Sequence, residues 1–179
     1  VYGGSSQKQK KKFQIGNKIL LNWKSKNENR TGYFNIELIK PITPLFFDDK
    51  KRSICILAAS SILRILLPER QTNTKIYNSF DKLLNDFYED QWIKLYILWE
   101  FSLIKELGFE IGFSKNKVKI NNKLFKFPRI LLEKNTKNIT NADIKDGLAF
   151  NKNLLIENFT KPNRLKIPIS RNILEKYYN

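Results

Sequence analysis

Ser53-Ile54-Cys55-Ile56-Leu57-Ala58-Ala59-Ser60-Ser61-Ile62-Leu63-Arg64-Ile65-Leu66-Leu67-Pro68 decides the fold. Ile54, Leu57, Ala58, Ser61, Ile62, Ile65 and Leu66 recur at the spacing of a helix core face. The small residues Ala58, Ala59, Ser60 and Ser61 admit a close helix neighbour. Pro68 cannot continue the helix and stops it. Asn73 or Thr74 then caps a second helix through Ile76, Tyr77, Phe80, Leu83, Leu84 and Phe87. A third runs from Gln91 to Leu107, with Trp92, Leu95, Tyr96, Trp99, Leu103 and Leu107 on one stripe, read as core. Gly108 follows as its left-handed C-cap. The chain from about Leu45 to Gly108 is therefore expected to be helical.

Upstream the period changes. Phe13 to Lys24 reads as a strand, with Gly16-Asn17 as a bend at its start and Ile19, Leu21 and Trp23 on one face. Tyr33 to Ile39 reads as a second strand, and the polar turn Lys26-Asn27-Glu28-Asn29-Arg30 joins the two as an antiparallel hairpin. Pro41 and Pro44 end this pattern. A lone hairpin is marginal in water and needs further strands or a helix to lie on. Ahead of it, Gly3-Gly4-Ser5-Ser6 with Lys8, Lys10, Lys11 and Lys12 reads as a flexible basic loop suited to a phosphate backbone. The chain starts at Val1 and contains no Met, so this arm is expected to be an internal loop exposed by N-terminal truncation.

Downstream, Lys117 to Phe127 reads as a small hairpin with an Asn121-Asn122 turn. Glu133 to Thr140 is a polar linker. A helix starts at Asn141-Ala142-Asp143, carries Ile144, Leu148, Phe150, Leu154, Leu155 and Phe159, and ends at Pro162. A last short helix follows Pro168, from about Ile169 to Tyr178.

Composition narrows the function. Lys+Arg 33 against Asp+Glu 17 gives a net charge of +16, which calls for a polyanionic partner. An AT-rich coding bias accounts for part of the lysine. It would spread the charge evenly, yet residues 1–40 carry +7, residues 41–114 carry −1, residues 115–145 carry +7 and residues 146–179 carry +3. With no His and a single Cys, a Cys/His zinc site and a His-activated nucleophile are excluded. Cys55, among aliphatic neighbours, reads as a buried small hydrophobe. Asp48-Asp49 and Asp86 with Glu89-Asp90 are carboxylate clusters in turns, read as helix caps rather than a metal site. No phosphate-binding Gly-rich loop occurs, and no apolar run reaches the roughly 18 residues of a membrane span.

Three segments resemble the RecO family of bacterial recombinational-repair proteins. The first is Gly3-Gly4-Ser5 with its lysines, Gln14-Ile15-Gly16-Asn17, Trp23, and Gly32-Tyr33-Phe34 through Glu37. The second is Leu67-Pro68-Glu69-Arg70, Tyr77, Trp99-Glu100-Phe101 and Glu106-Leu107-Gly108-Phe109. The third is Asp146-Gly147-Leu148, Pro162 and the Leu165 to Pro168 stretch. The resemblance implies an α+β fold: a partial, truncated N-terminal OB-fold β-barrel over residues 1–42, then a mainly α-helical domain over 43–179 with a small hairpin insertion at about 113–130. Some members carry a four-cysteine zinc site after the Gly-Phe segment. Here that stretch reads Ser114-Lys115-Asn116-Lys117, so no metal or other cofactor is expected.

The resemblance also implies a non-enzymatic, cytoplasmic, nucleoid-associated protein. It would bind single- and double-stranded DNA, anneal strands coated with single-strand-binding protein (SSB), and with RecR assist RecA loading. The residues expected at DNA are Lys8, Lys10, Lys11, Lys12, Lys24, Lys26, Arg30 and Tyr33. Trp23 and Phe34 are read as barrel core, Tyr33 as the exposed ring. A second block, Lys115, Lys117, Lys119, Lys123, Lys126 and Arg129, either extends the DNA path or receives the acidic SSB tail. The rivals are an RNA- or ribosome-associated basic protein and a peripheral membrane-surface protein. The Gln91–Leu107 helix, with Glu100 and Glu106 against Lys94 and Lys105, lacks the basic face a membrane would need.

Overall fold

The computed structural model describes residues 6–25, 32–108, 112–114, 117–120, 123–132 and 138–179. Its elements run α1 (Gln7–Lys12), β1 (Lys18–Lys24), β2 (Tyr33–Lys40), a 3-10 turn (Thr43–Phe46), α2 (Lys50–Leu66), α3 (Thr74–Asp86) and α4 (Trp92–Glu106). Then come β3 (Gly112–Ser114), β4 (Lys117–Ile120), β5 (Lys123–Lys126), α5 (Arg129–Leu132), α6 (Asn141–Leu155), a π turn (Ile156–Thr160) and α7 (Ile169–Lys176). The class is mixed α+β and mostly helical. β1 and β2 form a two-stranded antiparallel sheet, and β3-β4-β5 a three-stranded one. Among the described residues neither sheet closes into a barrel.

α2 starts before Ser53 because Asp49 caps it, accepting from the Arg52 amide at 2.9 Å. Arg52 then staples α2 to the α3–α4 junction. Its Nε donates to the Phe87 carbonyl at 2.8 Å, and its guanidinium stacks 5.3 Å from the Trp92 ring. The buried face of α2 is Cys55, Ile56, Ala58, Ala59, Ile62 and Leu66. That face is rotated from the one expected, with Ile54, Leu57 and Ile65 only half-buried. Cys55 is buried, as its neighbours predict.

α4 is the central helix. Trp92, Tyr96, Trp99 and Leu103 are buried as expected, but so are Lys94 and Glu100. The reading that set those two on a solvent-facing polar side is therefore corrected. Gly108 takes φ +83° and ends the segment as a C-cap glycine does. α6 crosses α4 closely at Gly147, where an added Cβ would meet Ile130 Cγ2 at 2.7 Å and Ile97 Cγ2 at 3.0 Å. A capping box between Thr140 and Asp143 starts α6. Hydrogen bonds from Thr140 hold the Asp143 carboxyl below its ordinary pKa.

One buried ion pair ties three helices together. Arg171 of α7 donates from Nε to Glu100 Oε1 at 2.6 Å and from Nη2 to Glu100 Oε2 at 3.0 Å. Nη2 also donates to the Leu148 carbonyl of α6 at 2.7 Å, and Tyr96 Oη donates to Glu100 Oε1 at 2.9 Å. Both ion-pair side chains are 0% exposed. Burial, then the Glu100 charge, pushes the Tyr96 hydroxyl well above its ordinary pKa. Nothing in the sequence reading singled out Arg171. Its partner sits in the Trp99-Glu100-Phe101 segment, which gives that motif a physical role.

Candidate nucleic-acid interface

The basic arm is not the flexible loop expected from its glycines and serines. Residues 7–12 form the helix α1, so Lys8, Lys10, Lys11 and Lys12 lie on a turn and a half of helix. Long unbranched Lys and Gln side chains favour this state, and the three lysines of its last turn complement the helix dipole. Gly3 and Gly4 lie outside the described residues. The strand expected from Phe13 begins only at Lys18, because Gly16 takes φ +95° in the intervening turn.

Asn17 clamps this region. Its Oδ1 accepts from the Ile42 amide at 2.9 Å and the Thr43 amide at 3.3 Å. Its Nδ2 donates to the Lys11 carbonyl at 3.3 Å and the Lys12 carbonyl at 3.4 Å. Thr43 Oγ1 also donates to the Ile15 carbonyl. One side chain thus holds the C-terminal end of α1 against the chain leaving β2. Lys10 and Lys11 are exposed, while Lys12 is half-buried and reaches the Ile36 carbonyl at 3.4 Å.

On the hairpin, Lys24 and Tyr33 face each other in register and are both exposed. Trp23 and Phe34 also pair, ring centroids 4.8 Å apart. A Cβ at Gly32 would overlap the Trp23 ring, so glycine is needed there. Trp23 and Phe34 were expected in a core, yet both are exposed, Trp23 by 51%. Leu20 and Leu21, on opposite faces of β1, are exposed as well. Lys26 and Arg30 lie outside the described residues, and so does the side chain of Lys8.

The hairpin meets the helical domain through two lysines that the sequence reading did not select. Lys18 and Lys40 pair across the hairpin. Lys18 Nζ binds Asp81 Oδ1 at 2.8 Å, and Lys40 Nζ donates to Asn85 Oδ1 at 2.7 Å. The Asp81 hydrogen bond raises the Lys18 pKa. Tyr77, expected in the core, is instead 56% exposed.

The second basic block maps to the three-stranded sheet and α5. Lys119, Lys126 and Arg129 are exposed; Lys115 and the side chains of Lys117 and Lys123 lie outside the described residues. A groove of about 480 Å³ opens between β5 and α6, with Phe127 and Phe150 in its wall and Lys126 and Arg129 at its side. Asp143 and Asp146 also line it, so its charge is mixed. Among the described residues no cluster of three or more carboxylate, Cys or His groups is set to hold a metal ion.

A basic hairpin set on a helical bundle, with residues 48–121 matching the family model described as Recombination protein O C terminal, defines the class. The relatives make it more particular. The chain is 32% identical over 124 residues to the DNA repair protein RecO of Ehrlichia chaffeensis, covering 68% of this chain and 51% of that one. It is 34% identical over 106 residues to the DNA repair protein RecO of Wolbachia pipientis subsp. Culex pipiens, covering 58% and 44%. With that of Rhodospirillum centenum it shares 24% over 113 residues, covering 63% and 45%. The resemblance to RecO read from the sequence is borne out. The chain spans about half the length of the curated relatives it matches. No solved structure matches it. No helix among the described residues is long and apolar enough to cross a membrane.

Proposed function

We propose that this chain is a DNA-binding recombination mediator of recombinational repair. The observation that carries the reading is the match of residues 48–121 to the RecO C-terminal model. The net charge of +16 supports it, since phosphate neutralisation supplies most non-specific affinity. The chain binds single- and double-stranded DNA, pairs complementary strands by shielding their backbones, and performs no covalent chemistry. Its partners are SSB, RecR and, through them, RecA, in the cytoplasm at the nucleoid. Lys8, Lys10, Lys11, Lys12, Lys24, Lys26, Arg30 and Tyr33 form the first DNA surface.

The hairpin belongs to an OB-type barrel. Its support is that β1 and β2 expose apolar side chains on both faces, as strands awaiting further strands and a core do. The boundary near residue 42 is favoured because the buried core is drawn from Ile42 onward. The groove between β5 and α6 receives the acidic SSB tail, with Lys126 and Arg129 at its side, and Lys115, Lys117, Lys119 and Lys123 of the same sequence block add to its positive charge.

Strand annealing of two complementary oligonucleotides, with and without SSB, tests the reading. The chain accelerates annealing, and Lys10→Glu with Lys11→Glu weakens both binding and annealing. Failure to bind single-stranded DNA, or a preference for RNA in competition, overturns it. Lys123→Glu with Lys126→Glu lowers affinity for an SSB tail peptide. Unchanged tail binding removes that groove from the proposal.

A further inference from the structure

One face of α3 carries Tyr77, Asp81 and Asn85 at helical spacing, and Tyr88 lies just beyond its end. Against it stand the two lysines that close the hairpin. Lys18 Nζ lies 5.7 Å from the Tyr77 ring centre and binds Asp81; Lys40 Nζ lies 6.0 Å from the Tyr88 ring centre and binds Asn85. The order along the seam is ring, cation, cation, ring. Tyr77 and Tyr88 are 56% and 53% exposed, more than core packing requires. At Tyr77 the seam opens into a cavity of about 220 Å³ lined by Asn17, Lys18, Phe80 and Leu84 among others.

We propose that this seam is a binding track for single-stranded DNA, in which Tyr77 and Tyr88 stack bases and Lys18 and Lys40 take the phosphates between them. The proposal rests on the DNA-binding reading and adds a site to it. An aromatic ring with a cation beside it is the recurring unit of sequence-tolerant single-strand binding. From Tyr77 to the end of α3 at Asp86 the backbone rises about 14 Å at ~1.5 Å per residue, with Tyr88 in the turn beyond, a span of about four or more stacked nucleotides at ~3.4 Å each. Asp81 does not close the track. Its pair with Lys18 is about one third exposed, so a phosphate reaches the lysine from solvent but competes with the carboxylate for it.

The test is anisotropy of a labelled oligo-dT on the full chain across a salt series. Tyr77→Ala with Tyr88→Ala weakens binding by about 30-fold or more for the pair, at about 5- to 150-fold per ring, with the salt slope unchanged because rings release no counterions. Tyr77→Phe with Tyr88→Phe retains near-native affinity. Lys18→Gln with Lys40→Gln flattens the slope by about 1.4, at roughly 0.7 per phosphate contact on single strands. Asp81→Asn tightens binding. Tyr88 packs on Phe46, so its alanine variant can perturb the fold. Photocrosslinking of a bromodeoxyuridine oligonucleotide to the unmodified chain reads the same contact without mutation, and yields adducts on peptides holding Tyr77 or Tyr88. If the unmodified chain binds DNA but gives no such adducts, the track is overturned and the function stands. If it binds no single-stranded DNA, both fall.

Discussion

At Arg171 the interior accepts a full charge because a full opposite charge meets it, although Nη1 makes no hydrogen bond and lies 3.9 Å from Glu175 Oε2. Two Glu100 oxygens and the Leu148 carbonyl take its protons, and Tyr96 donates to the same carboxylate. Removing one partner leaves the other buried and uncompensated, so Arg171→Ala destabilises the chain by about 3–5 kcal/mol. Urea unfolding followed by circular dichroism measures this. Gly147→Ala inserts a methyl where α6 meets Ile130 and Ile97, and destabilises by about 1–3 kcal/mol in the same assay. Alkali has a defined effect. Burial pushes the Tyr178 hydroxyl up to about 12, and Tyr96 also lies well above the ordinary value near 10. Both are raised, so their stabilisation is complete below pH 10 and is lost as pH climbs through 10 toward 12 and beyond. Thermal midpoints between pH 8 and pH 11 stay level at first and then fall, by less in Tyr178→Phe. A midpoint that rises above pH 10 contradicts the assignment. The sequence showed the buried Cys55 and the α4 aromatics because apolar residues at helical spacing have one place to go. It hid Arg171 because a lone arginine looks the same whether its partner is solvent or a glutamate 71 residues away.

Among the elements, the helices of the bundle were legible and the arm was not. α2, α3, α4, α6 and α7 each lie close to where period, proline and glycine set them. α1 was missed because six residues are too few to show a period, and the glycines before it pointed to a loop. Its orientation depends on Asn17, whose four hydrogen bonds join α1 to residues 42 and 43. Asn17→Ala frees α1 from the bundle. Amide exchange across residues 10–18 rises, while the α4–α6 core exchanges as before. Equal protection in both regions means that the clamp holds nothing. The missed seam of Lys18 and Lys40 has a similar cause. Tyr77 sits at a position that a wheel of α3 assigns to the core, and only the docked hairpin shows that this face stays half open.

For the molecule as a whole, charge is the long-range variable. The two basic blocks flank a near-neutral bundle, so salt acts on DNA binding while leaving the core untouched. Neutralising about five phosphates gives a slope near −3.5 in a plot of log K against log salt on single strands. An affinity indifferent to salt between 50 and about 200 mM rules out phosphate contact as its source. Composition foretold the charge, but its division between a helix, a hairpin seam and a sheet is a property of the folded chain.

The Arg171 ion pair also sets a clock. Glu100 is made 71 residues before its partner, and α7 also packs on α2, where Ser170 Oγ lies 3.3 Å from Ser61 Oγ. At about 5–20 residues per second the 71-residue delay lasts ~4–14 s. Through that interval the nascent bundle holds an interior carboxylate with no counterion and an open apolar seam. Closure of the bundle therefore waits for residue 171, and a chain stalled before it is exposed to chaperones and proteases.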